Sequence, residues 1–124
     1  MIAVRVVGGV LLLAHGLVHL LYLAPDVPEF SIDRSWLLPA SARRPVALAL
    51  MAATVAAFAL VALAVWGVPG LSGVWPALTI VACGLSMALL AAFWDTVLVI
   101  GIVIDAALMV IAVTRPAWAD RVVG

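Results

Sequence analysis

Lysine is absent from this chain, and its six arginines balance six acidic residues to a formal net charge of zero. Only 10% of the residues are charged, where a soluble domain would carry about a quarter. With no excess of positive charge there is no basic footprint for nucleic acid, and no nucleic-acid partner is expected. Cysteine is almost missing as well. Cys83 is the only one and sits in an apolar run. That excludes an internal disulfide, a CxxC redox pair and a cysteine zinc site. No small-residue processing site follows the first apolar run, between Phe30 and Arg44, so the first segment reads as a retained anchor rather than a cleaved signal.

What is present is apolar. The chain is 69% hydrophobic, with a mean hydropathy of +1.38, which excludes an ordinary soluble core. A membrane-spanning helix needs about 20 mainly apolar residues. Four runs meet that length: about Ile2–Ala24, Pro45–Trp66, Val74–Trp94 and Thr96–Thr114. Proline and glycine fall at their boundaries, at Pro25, Gly67-Val68-Pro69-Gly70 and Pro116, where helix breakers belong. Each run is apolar nearly all round, as expected for lipid or a buried position. The expected fold is an all-α membrane protein, a four-transmembrane-helix antiparallel bundle in one domain over residues 1–124, with a long first loop over 25–44. Both termini then lie on one side, here side A. The long loop and the Trp94-Asp95 turn lie on side B.

The tryptophans suit two interfacial belts, with Trp66, Trp75 and Trp118 at side A and Trp36 and Trp94 at side B. Ala49, Ala53 and Ala57, and Gly84, Ala88 and Ala92, recur every four residues, the spacing that lets helix backbones approach closely in lipid. They are read as bundle packing, within one bundle or between copies. The arginines divide evenly, Arg5, Arg115 and Arg121 on side A against Arg34, Arg43 and Arg44 on side B. Only the arginine ahead of the first run tips the reading towards cytoplasmic termini. In the first loop, Phe30, Ile32, Trp36 and Leu37 could lie in the interface with Asp33 and Arg34 facing water, or the segment could be a plain connection.

The polar residues of the runs are few and grouped. His15, His19 and Tyr22, the only histidines and the only tyrosine, are spaced i, i+4, i+7 and share one helix face, with Asp26 beyond them at side B. The third run aligns Thr79, Cys83, Ser86 and Trp94; the second offers only Thr54. Asp105 lies near the middle of the fourth run, and Asp95 stands at its side B end, roughly 80° away on the helical wheel. A charge at the bilayer centre costs about 2.5–3.5 kcal/mol on insertion scales. Counted from side A, His15 and Asp105 come to similar depth, so a His15–Asp105 contact is expected, with His19, Tyr22 and Asp95 lining a polar pocket open to side B.

Several functions fit such a pocket. In the first, His15, Asp105, His19 and Asp95 are candidate catalytic groups for acid–base work on a lipophilic small molecule such as a lipid, isoprenoid or quinone. Tyr22, Trp94, Ser86 and Trp36 are then candidate ligand contacts. In the second, the chain is a non-catalytic accessory subunit of a larger membrane complex, or a homo-oligomer, touching only lipids and partner helices. In the third, His15 and His19 share a metal ion with Asp105. The two histidines lie on one side of one helix and so cannot sandwich one haem from both faces within one chain. Each polar group also has a structural reading: interhelical hydrogen bonding for His15, His19, Tyr22 and Asp105, a helix cap for Asp95, packing for Cys83 and Ser86, and a solvated loop position for Asp26. No cofactor is specified.

The His-Gly-Leu-Val-His-Leu-Leu-Tyr stretch, the Phe93-Trp94-Asp95 turn and the Gly101-Ile102-Val103-Ile104-Asp105 stretch together resemble small four-helix bacterial membrane proteins of unassigned function. The alanine-rich, arginine-without-lysine composition looks like that of a high-GC bacterium of actinobacterial type, which implies a bacterial cell (inner) membrane. The four helices with a long first loop are also similar, in topology, to the broad DoxX-like group. No motif here maps onto a DoxX active residue, so none is carried over. Vitamin K epoxide reductase-like bundles share only the helix count, and their paired cysteines are missing.

Overall fold

The computed structural model describes residues 2–23, 30–32 and 35–123. It is helical throughout, with no strand among the described residues. The helices are α1 (Ile2–Leu17), α2 (Ala40–Val65), α3 (Trp75–Ala92), α4 (Val99–Thr114) and a short α5 (Ala117–Val123). α1 tightens into a 3-10 helix over Val18–Leu23, and shorter 3-10 turns lead into α3 and α4. Counting these extensions, four segments are long and apolar enough to cross a membrane: Ile2–Leu23, Ala40–Val65, Ser72–Ala92 and Thr96–Thr114. The chain is an all-α bundle of four spans and a multi-pass membrane protein.

The spans follow the expected runs with two differences. The second starts at Ala40, five residues before Pro45, so that Arg43 and Arg44 lie on the helix and not in the loop. Pro45 is tolerated there because it is exposed, as is Ser41, whose carbonyl it leaves without a helical donor and open to water or headgroups. α5 was not expected from the sequence. Arg115 closes α4 in a left-handed conformation (φ 44°, ψ 60°), Pro116 prevents continuation, and the chain folds back at side A.

Packing is sequential. α1 lies on α2, α2 on α3 and α3 on α4. Two glycines set the α1–α2 distance. A Cβ at Gly16 would stand 2.6 Å from the Phe58 Cβ, and one at Gly9 would fall inside the Trp66 indole. On the other side, a Cβ at Gly101 would meet the end of the Leu90 side chain at 2.8 Å. The small-residue stripes play a lesser part than expected. Ala57 and Ala92 are buried, but Ala49, Ala53, Gly84 and Ala88 face outward. The bundle interior uses a different helical phase, with Ala47, Ala62, Ala64 and Ala82 fully covered.

The belts need one correction. Trp75 is buried, its indole N–H donating to Asp120 of α5 at 2.9 Å, because α5 covers the side A end of α3. Trp66, Trp118, Trp36 and Trp94 are exposed. In the first loop, Phe30 and Ile32 pack on the core, whereas Trp36 and Leu37 are exposed. Asp26, Asp33 and Arg34 lie outside the described residues.

Candidate functional site

The expected contact is present. His15 Nε2 lies 2.8 Å from Asp105 Oδ1, bridging α1 and α4 at mid-span. Asp105 is fully buried and His15 is 11% exposed. The second carboxylate oxygen, Oδ2, is 2.5 Å from Ser86 Oγ of α3. Ser86 Oγ is in turn 2.7 Å from His19 Nε2. Three helices therefore meet in one chain of hydrogen bonds, His15–Asp105–Ser86–His19, in which Ser86 is the bridge.

Local structure explains the placement of each member. At Val18 the α-helix gives way to the 3-10 helix, and the His19 ring turns back so that Nδ1 lies 3.0 Å from both the His15 and the Gly16 carbonyl oxygens. Fully buried Phe58 holds both imidazoles, edge-on to His15 at 4.9 Å between centroids and stacked on His19 at 6.2 Å. The missing side chain at Gly16 is what lets Phe58 approach.

The geometry restricts where the protons are. Carbonyl oxygens only accept, so His19 Nδ1 carries a hydrogen. The two bonds flanking Ser86 then require two protons, and the serine hydroxyl supplies one. The other sits either on His19 Nε2, giving an imidazolium opposite a carboxylate, or on Asp105 Oδ2, giving a neutral acid opposite a neutral imidazole. The two arrangements differ by one proton shift at each end of Ser86, and both have zero net charge with His15 neutral. Such a group tolerates burial far better than a lone aspartate. In both, His15 donates from Nε2 to Oδ1, which leaves His15 Nδ1 as an unprotonated acceptor.

Beside this chain is a cavity of about 390 Å³. Leu11, Ala14 and His15 of α1, with Val18 at the start of the 3-10 helix, form one wall and Ile100, Gly101 and Ile104 of α4 the other, with Phe30 and Leu90 closing it. α1 and α4 are not packed against each other along their length. Leu11, Val18, Ile100 and Ile104 on the rims are exposed, so the cavity opens sideways through the bundle wall. All of its lining is apolar apart from His15 and His19. None of Tyr22, Asp95, Trp94, Trp36 and Ser86 lines this cavity.

Those side chains have other partners. The last carbonyls of a helix lack helical donors, and at the end of α3 three are filled from outside. Trp36 Nε1–H donates to Ala91 O (2.5 Å), Ser35 O–H to Ala92 O (2.6 Å) and Tyr22 O–H to Phe93 O (3.2 Å). Ser35 Oγ also accepts from the Leu37 and Leu38 amides. Asp95 accepts from the Val97 amide at 3.1 Å and caps the turn into α4. Thr54 is fully buried, and its Oγ1 has no partner. Cys83 is buried in the core beside Phe58.

The metal arrangement does not assemble in this geometry. His19 has both ring nitrogens in hydrogen bonds and the His15 Nε2 faces Asp105. Among the described residues no three His, Cys, Asp or Glu side chains converge on one point. Comparison with family models, with curated proteins and with solved structures finds no match to this chain.

Proposed function

We propose that the protein binds a lipophilic small molecule from the bilayer in the cavity between α1 and α4, with the His15–Asp105–Ser86–His19 chain able to exchange protons with it. The observation that carries this reading is the cavity itself. It falls within the ~300–1,000 Å³ range of small-molecule sites, which combine apolar walls with few polar groups, and its polar wall is the end of a proton-shared network. Paired acid and base groups away from water suit general acid–base chemistry, so conversion of the bound molecule is part of the proposal. The composition supports a bacterial cell membrane, and Arg5 supports cytoplasmic termini. The helix order with its long first loop keeps kinship with the DoxX-like group as a proposal.

Mass spectrometry of lipids retained by the purified protein tests this. Wild type carries a lipophile in near-stoichiometric amount, and Ile104→Trp, which fills the cavity, loses it. Equal carriage by both proteins would overturn the reading.

The accessory-subunit reading is favoured by a separate observation, the outward-facing Ala49, Ala53, Gly84 and Ala88. These allow another helix to approach closely. Native mass spectrometry of the membrane-extracted protein distinguishes the two, since a partner subunit or second copy adds protein mass and a ligand does not.

A further inference from the structure

We propose that the molecule taken up by this cavity bears a hydroxyl group, a lipophilic phenol or alcohol, whose O–H donates to His15 Nδ1. The proposal rests on the cavity being a ligand site and adds the chemistry of what occupies it.

Proton bookkeeping carries it. Both neutral arrangements of the chain put the His15 proton on Nε2, facing Asp105, so Nδ1 keeps its lone pair. That nitrogen has no protein partner among the described residues. The His15 side chain is 11% exposed. His15 lines the cavity, and with Nε2 committed to Asp105, Nδ1 is the ring nitrogen left for an occupant.

The remaining walls sharpen the choice. His19, the other polar liner, has both ring nitrogens engaged. The site thus presents one acceptor and no free donor. A ligand with only carbonyl or ether oxygens would lose its hydrogen bond to water or headgroups and gain none. A ligand hydroxyl would be satisfied, which is the stronger basis for discrimination when polar groups are buried.

The test uses the full-length protein in lipid nanodiscs with two matched probes, 4-nonylphenol and its methyl ether 4-nonylanisole. Binding is measured for wild type, His15→Phe and Ile104→Trp. The expected result is that wild type prefers the phenol by about three- to tenfold, the range of one hydrogen bond. His15→Phe loses the preference, and Ile104→Trp binds neither probe. If His15→Phe does not fold, the wild-type preference is read together with the His15 Nδ1 resonance in ¹⁵N-labelled protein, which should move with the phenol and stay with the ether. Equal binding of both probes, abolished by Ile104→Trp, overturns the hydroxyl proposal and leaves the cavity reading standing. Binding of neither probe to wild type overturns both.

Discussion

His15 Nε2 and Asp105 Oδ1 stand 2.8 Å apart across a gap that their two helices otherwise leave open. Among the described residues this is the only side-chain hydrogen bond joining α1 to α4. The same bond closes the back of the cavity and fixes which His15 nitrogen faces it.

Replacing Asp105 separates shape from charge. In Asp105→Asn, the amide oxygen still accepts from His15 Nε2–H. The amide N–H donates to Ser86, and the Ser86 hydroxyl donates to His19. Every bond of the neutral-acid arrangement survives, but no proton can pass along it. Asp105→Leu leaves His15, Ser86 and His19 without that partner. The Asn variant should resist unfolding in detergent better than the Leu variant by about 1–3 kcal/mol, as read by thermal or denaturant titration. Equal stabilities would show that the chain of bonds contributes little.

The glycines on α1 should not be equivalent. A methyl group at Gly9 meets the end of the Trp66 side chain, which is part-exposed and can swing aside. One at Gly16 meets Phe58 at its Cβ, close to the backbone of α2, so α1 must move. Gly16→Ala should lower stability by about 1–3 kcal/mol and lengthen the His15–Asp105 contact. Gly9→Ala should do less. Paired melting curves decide it, and the reverse order would contradict the packing described.

Much of this arrangement was legible in the sequence. Helical depth alone brought His15 level with Asp105, because both lie a countable distance from span ends marked by proline and glycine. Ser86 was visible as a polar position, but its role as the bridge depends on the rotation of α3, which composition does not encode. Tyr22, Trp36 and Asp95 attracted a binding role because they are polar or aromatic near an interface. The structure engages them with backbone groups at the end of α3 and the turn into α4; the Asp95 cap was legible as an Asp ahead of a helix, whereas the donors to the α3 carbonyls have no sequence signature of their own. The small-residue stripes left packing within one bundle or between copies open, because spacing gives a face and not its direction. α5 was missed because seven residues are too few for a periodic pattern.

The α3 terminus gives a local prediction. Ser35→Ala removes the donor to Ala92 O and the acceptor of two loop amides. Amide hydrogen exchange should accelerate for Leu37 and Leu38, with a stability loss of about 0.5–1.5 kcal/mol. Exchange at side A should be unchanged. A uniform acceleration would mean that the loop does not act locally.

At side A the relevant group is Asp120. The Trp75 indole N–H, and then the Arg115 guanidinium, hold its carboxyl below the ordinary value of 3.8. A depressed folded-state value means that the interaction is intact above the unfolded pKa and is lost as pH falls through the lower, folded one. The Trp75 indole resonance should therefore be constant from neutral pH down to about pH 4 and shift only below it. Asp120→Asn should abolish the shift. Because Asp120 is exposed, screening keeps its effect on global stability small.

The proposed site presents a bare His15 Nδ1 to the cavity while His15 Nε2 is committed to Asp105. With two histidines in the chain, ¹⁵N NMR of ring-labelled protein in nanodiscs observes all the nitrogens involved. The expected result is a His15 ring protonated at Nε2 and bare at Nδ1, and a His19 ring protonated at Nδ1. A His15 ring bare at Nε2 and protonated at Nδ1 would contradict it.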